Sequence, residues 1–289
     1  MKTFYPSSMP SQTLTRLRSW LFTPATRPER FAKAAEVGAD ALIIDLEDAV
    51  APKDKDNARV AALEYLVRPG QGGPARVLRI NGLDTPPGLA DLAALLGSPA
   101  SPDFVLLPKT DSAGHLQILD RLLKGAKKDI RLIGIIESAS GLASVEMIAT
   151  ATPRLAALAV GGADLAADLG ATVAWEPLLS ARSRVVAACA LGGILPLDSP
   201  FFDLHDTNGL QQELQRSIAL GFAGKLAIHP AQVGPINAAL TPSDAEVDKA
   251  RAVLAENSKG VGVVHGQMID EAVARKARRI LAAAGATEN

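Results

Sequence analysis

Eight times within about 230 residues the chain passes from a short apolar run rich in β-branched residues to a longer segment with helical spacing. The strand-like runs are "SWLFTP", "ALIIDLED", "RVLRING", "DFVLLPKT", "RLIGIIES", "LAALAVGGAD", "ILPLDSP" and "GKLAIHP". Between them lie segments such as "RPERFAKAAEVGA", "KDNARVAALEYL", "GLADLAALLG" and "HLQILDRLLKG", several of them stopped by glycine as helix ends often are. This order predicts a (β/α)8 TIM barrel over residues 18–242, in preference to an open doubly wound sheet. Residues 1–17 read as a flexible lead-in. After "LAIHPAQVGPINAALTPSDAEV" the strand pattern stops, and residues 243–289 read as a C-terminal helical extension or lid, two helices joined by the glycine-rich "SKGVGVVHGQM".

Bulk properties narrow the partners. Thirty basic residues against thirty-one acidic ones give a net charge of -1, which leaves no electrostatic footprint for nucleic acid and no basic face for a membrane. The N-terminal stretch lacks the apolar core of a secretion signal, and no apolar run approaches the roughly 20 residues that span a bilayer. A cytoplasmic protein acting on small molecules is expected. Its one cysteine, Cys189, lies in the helix-like "SARSRVVAACALGG" and reads as a core residue. The histidines, His115, His205, His229 and His265, have no metal-ligand spacing to one another and read as structural.

Barrel enzymes carry their chemistry at the C-terminal ends of the strands. Here those ends bear Asp45, Glu47 and Asp48, then Arg79 and Asn81, then Lys109, Glu137 and Asp164. Any one of them has an ordinary explanation as a helix cap or ion-pair partner, Asp48 above all. Charge at the ends of five strands on one rim is harder to explain that way. Glu137 is the sharpest case, because it ends a core strand, where an unpaired carboxylate costs several kcal/mol unless it finds a partner or a cation. Carboxylates without a His or Cys cluster favour a hard cation, and Mg2+ characteristically takes one or two of them while keeping other positions for water and substrate. Glu137 and Asp164 suit that role. Arg79 supplies a rigid positive fork for an anionic or enolate oxygen.

Five ordered blocks, "RSWLFTPATRPERFAKAAEVGADALIIDLEDAV", "RVLRING", "IGIIESASGL", "GGADLAADLG" and "GKLAIHPAQV", together resemble the citrate lyase β-subunit-like proteins of the HpcH/HpaI aldolase superfamily. The likeness runs from about Arg18 to the C-terminus. It implies a homotrimer of barrels that uses Mg2+ to make or break a carbon–carbon bond beside a coenzyme A thioester, with 2-oxo acids as the other substrates. It further implies metal ligation by Glu137 and Asp164, enolate stabilisation by Arg79, and Asp45 and Glu47 placed around the metal's waters. Coenzyme A would meet Arg27. In "GQMIDEAVARKARRIL", Asp270 matches an aspartate that the malyl-CoA lyase-like branch brings to the substrate of a neighbouring subunit, although an Asp at that place is also a plain helix N-cap. Two departures stand out: Pro24-Ala25 where the family usually has Pro-Gly, and Ala272 where a proline often follows the terminal Asp. The implied reaction is cleavage or formation of malyl-CoA or citramalyl-CoA. Beside it stand the citryl-lyase subunit of a citrate lyase, acting on an acyl-carrier-protein thioester, and a non-catalytic acyl-CoA-binding or regulatory barrel.

Overall fold

The computed structural model describes residues 14, 16–67, 72–257, 262–264 and 267–286. Eight parallel strands, β1 (Ser19–Pro24), β2 (Ala41–Asp45), β3 (Ala75–Arg79), β4 (Phe104–Leu107), β5 (Arg131–Ile136), β6 (Leu155–Val160), β7 (Leu195–Asp198) and β8 (Gly224–Ala227), close into a barrel in sequence order, with β8 paired to β1. The surrounding helices are α1 (Phe31–Ala35), α2 (Lys55–Val67), α3 (Pro86–Gly97), α4 (Ala113–Gly125), α5 (Ala139–Ala143), α6 (Val145–Ala149), α7 (Gly162–Asp168), α8 (Trp175–Gly192), α9 (Thr207–Leu220) and α10 (Val233–Leu240). The alternation read from the sequence is therefore the architecture. No helix among the described residues is long and apolar enough to cross a membrane.

Strand periodicity divides the side chains between two cores. Trp20, Ala41, Ile43, Val77, Phe104, Leu106, Ile133, Ile135, Ala157, Ala159, Leu197 and Leu226 point inward and fill the barrel. The alternate residues, among them Leu42, Ile44, Leu78, Val105, Leu132 and Leu158, pack outward against the helices. Continuing the inward series one step toward the strand C-termini brings up Asp45, Arg79 and Glu137, so the same parity that fills the floor with hydrocarbon places charge at the mouth.

Two boundaries differ from the sequence reading. Leu14 and Leu17 are buried with the inward cluster, and the Trp20 indole N–H donates to the Leu17 carbonyl at 3.0 Å. The segment read as lead-in thus seals the floor at its C-terminal end, because the open bottom of a barrel exposes apolar side chains that something must cover. The segment read as a glycine-rich joint contains an antiparallel pair, β9 (Gly262–Val264) with β10 (Gln267–Ile269), between α11 (Asp244–Asn257) and α12 (Glu271–Ala284). Ala250, Val253, Ile269, Ala277 and Leu281 form a separate small core there.

One buried ionic cluster lies on the outward face. Lys225 Nζ donates to Asp198 Oδ2 (2.9 Å), to Glu213 Oε1 (2.7 Å) and to the Ser199 carbonyl (2.7 Å), while Arg182 Nε donates to Asp198 Oδ1 (2.9 Å). Replacing Asp198 with asparagine leaves Lys225 and Arg182 sharing the single carboxylate of Glu213, and is expected to cost about 3–5 kcal/mol in urea unfolding. Burial alone would raise the Asp198 carboxyl, but Lys225 and Arg182 outweigh it and hold the group below the usual carboxylate range. Its contribution is therefore complete above about pH 4, the range of an unfolded Asp, and is lost as pH falls through the lower folded value. Melts between about pH 4 and pH 2 should show wild type losing stability more steeply than Asp198→Asn.

Candidate active site

The charged mouth encloses a cavity of about 410 Å3, lined on its polar side by Asp45, Asp48, Arg79, Glu137 and Asp164 and on its apolar side by residues including Phe22, Ile135, Phe202, Leu226 and Ile228. Asp45, Arg79 and Glu137 are buried at strand ends, whereas Asp164 is exposed. It stands in the first turn of α7 rather than at the strand end where the sequence placed it, because the chain turns helical directly after Gly161.

Glu137 Oε1 accepts a hydrogen bond from the Lys109 amide at 2.7 Å. Burial pushes its carboxyl up to about 8; the Lys109 amide opposes this, and the negative charges of Glu47 and Asp164 add to it. Its other oxygen lies against Gly161, where any β-carbon would collide with Glu137 Cβ and Oε2. The missing side chain at 161 is what makes room for the carboxylate. Glycine-rich "GGADLA" was visible in the sequence, but this purpose was not.

Arg79 is held in a fixed plane. Its Nε and Nη2 donate to Asp45 Oδ1 (2.7 Å) and Oδ2 (2.8 Å), and Nη1 lies 2.8 Å from Glu47 Oε2 and 3.6 Å from Asp48 Oδ2. The guanidinium carbon sits 4.9 Å from the centre of the Phe22 ring. Burial opposes the charge, but Asp45, Glu47 and Asp48 outweigh it and keep the group protonated beyond its ordinary range. A guanidinium has five N–H donors, so this clamp leaves some free for a ligand. Asp45 and Glu47, expected around the metal's waters, are here the partners that orient Arg79. Behind them Lys55, which the sequence reading passed over, donates to the carbonyls of Leu46 (2.9 Å) and Glu47 (3.0 Å) and to Asn81 Oδ1 (2.5 Å), tying the loop after β2 to the end of β3.

A divalent cation fits this mouth. Five carboxylates (Asp45, Glu47, Asp48, Glu137, Asp164) face two basic side chains, Arg79 and Lys109, and among the described residues neither Glu137 nor Asp164 has a basic side chain bonded to it. The donor oxygens are hard, and two carboxylates leave positions for water or substrate, as Mg2+ prefers. No group of three or more His, Cys, Asp or Glu side chains able to hold a metal occurs among the described residues.

The remaining expected residues lie outside the cavity lining. Arg27 is exposed in the loop after β1, 3.9 Å from Glu29. Asp270 is exposed and caps α12, its Oδ1 accepting from the Val273 amide at 2.9 Å. His229 Nδ1 accepts from the Ala231 amide at 3.2 Å, a structural use of a rim histidine; His265 lies outside the described residues. Cys189 is buried, its thiol pushed up to about 12 by desolvation, which makes it inert.

Fold and site together define a barrel with carboxylates and a clamped arginine gathered at its mouth. The chain belongs to the HpcH/HpaI aldolase/citrate lyase family, whose model matches residues 18–230. It is 40% identical to the L-malyl-CoA/beta-methylmalyl-CoA lyase of Rhodobacter capsulatus, over 91% of this chain and 93% of that protein. Among solved structures, RipC from Yersinia pestis is 53% identical with a TM-score of 0.73, covering 81% of this chain and 99% of that one. CitE from Mycobacterium tuberculosis, in complex with magnesium, acetoacetate and coenzyme A, is 35% identical with a TM-score of 0.79, over 94% of this chain and 99% of that one.

Proposed function

We propose that the protein is a Mg2+-dependent carbon–carbon lyase that cleaves, or in reverse forms, a β-hydroxyacyl-CoA such as malyl-CoA or citramalyl-CoA, giving acetyl-CoA and glyoxylate or pyruvate. The observation that carries this reading is the convergence of Glu137, Asp164 and the clamped Arg79 on one cavity. Glu137 and Asp164 would hold Mg2+, which when bound would supply a Lewis acid to substrate oxygen. As the substrate hydroxyl gives its proton to water at the mouth and its oxygen becomes the carbonyl of the 2-oxo acid, the bond between the carbinol carbon and the thioester's α-carbon breaks, its electron pair moves onto the thioester carbonyl, and Arg79 faces the resulting enolate oxygen with charge already in place. The apolar wall of Phe22, Ile135 and Leu226 excludes water around the carbanion, and Arg27 on the rim meets the coenzyme A moiety. The protein acts in the cytoplasm as a homotrimer.

Asp270 returns a proton to the enolate carbon, or removes it in the condensation direction. Because Asp270 is outside the cavity lining of its own chain, it serves the site of a neighbouring subunit. Asp270→Asn preserves the α12 cap, so its melting temperature should match wild type while kcat falls about a hundredfold or more. An unreduced kcat leaves Asp270 as a cap alone. Mixed trimers of Asp270→Asn and Arg79→Ala chains should regain activity, since some contain one intact site.

The reading as a whole is tested by supplying malyl-, citramalyl- and β-methylmalyl-CoA, and citryl thioesters of acyl carrier protein, with Mg2+ and measuring released 2-oxo acid and free thiol separately. Oxo acid without free thiol is the expected result. Free thiol without oxo acid means thioester hydrolysis and rejects the lyase. Turnover confined to acyl-carrier-protein thioesters assigns a citrate lyase subunit, and none at all a binding or regulatory barrel.

A further inference from the structure

Lys109 follows β4 with a φ of +47°, a left-handed conformation that is strained for a residue bearing a β-carbon. That conformation has a visible product. The Lys109 amide points at Glu137 Oε1 (2.7 Å), while its ammonium reaches Glu47 Oε1 (2.5 Å). The second oxygen of Glu47 is engaged by Arg79 Nη1 at 2.8 Å and, more weakly, by the Asp48 amide at 3.3 Å. Both oxygens of a buried carboxylate are thus occupied by cationic groups, while the backbone of the same lysine meets the carboxylate of Glu137. The charge of Glu47 is felt at Glu137, where it acts in the same direction as that of Asp164.

We infer that Lys109 is a positioning residue that keeps Glu47 out of the cation's coordination shell, so that Glu137 and Asp164 alone hold the metal and the other positions stay open to substrate. This rests on the reading of Glu137 and Asp164 as cation ligands. A third carboxylate would raise affinity by adding charge, yet it would fill a position that a catalytic site must leave free. Arg79 reaches Glu47 through Nη1 alone, since its other two nitrogens are committed to Asp45, and leaves Oε1 to Lys109.

The test uses Mn2+ as the probe, with affinity taken from the electron paramagnetic resonance of free Mn2+ and bound waters counted by proton relaxation. Lys109→Met keeps the amide and most of the side-chain length but removes the charge. It should bind Mn2+ about tenfold tighter with one water fewer, and lose about 10- to 100-fold in kcat at little-changed KM. Adding Glu47→Gln should return affinity and water count to those of wild type. If Lys109→Met fails to fold, Lys109→Asn, which is at ease in the left-handed region, carries the same expectation. An unchanged water count, weaker binding, or a tightening that survives in the Glu47→Gln background overturns the inference. A wild type that binds Mn2+ yet turns over no thioester rejects the lyase reading and leaves this test standing.

Discussion

Replacing Glu137 with glutamine is expected to abolish specific Mg2+ binding and to lower turnover by roughly a thousandfold, the scale of a lost Lewis acid. The amide keeps the shape of the carboxyl and can still accept the Lys109 N–H through its oxygen, so the fold survives. Without metal the melting temperature should stay close to that of wild type, which separates loss of charge from loss of structure. Asp164→Asn, on the exposed first turn of α7, should give the same loss with even less effect on stability. Isothermal titration with Mg2+ and assays before and after EDTA check both. Wild-type activity that persists after EDTA would falsify the role of the metal.

The second large effect is expected at Arg79. Arg79→Lys retains one positive charge but cannot donate twice to Asp45 while also meeting Glu47, so the ammonium has no fixed direction toward the enolate oxygen. A fall in kcat of about a hundredfold or more is expected, with Mg2+ affinity retained. A drop in melting temperature should accompany it, because Asp45 and Glu47 are buried and each loses part of its pairing. A lysine variant with near-normal kcat would make Arg79 a structural ion-pair partner.

The parts of this molecule that follow a short period were legible in its sequence. Alternation along β2, β3 and β5 carries the apolar residues inward and, one step further, delivers Asp45, Arg79 and Glu137 to the mouth, so a strand-end reading finds them without coordinates. Asp164 was found on the same rim but assigned to a strand, since nothing local in "GGADLA" announces that helix α7 begins at once. Lys109 was visible as a charge, whereas its work depends on a left-handed backbone and on reach across to the loop after β2, neither of which has a local signature. The Asp198–Lys225–Arg182 cluster is intermediate. A lysine at an outward position inside the strand "GKLA" is a signal of a buried ion pair, but its partners come from β7, α8 and α9, and only folding brings them together.

Gly161 gives the site an unusual genetic exposure. Its contribution is an absence, the space into which Glu137 extends, and every amino acid that one base change can put in place of glycine brings a β-carbon into that space. The placement of Glu137, a metal ligand in the proposed reading, can therefore be lost by mutation at a codon that encodes no functional group, in the turn between β6 and α7. Position 161, as well as the acidic residues themselves, is where a descendant of this chain could shed its chemistry.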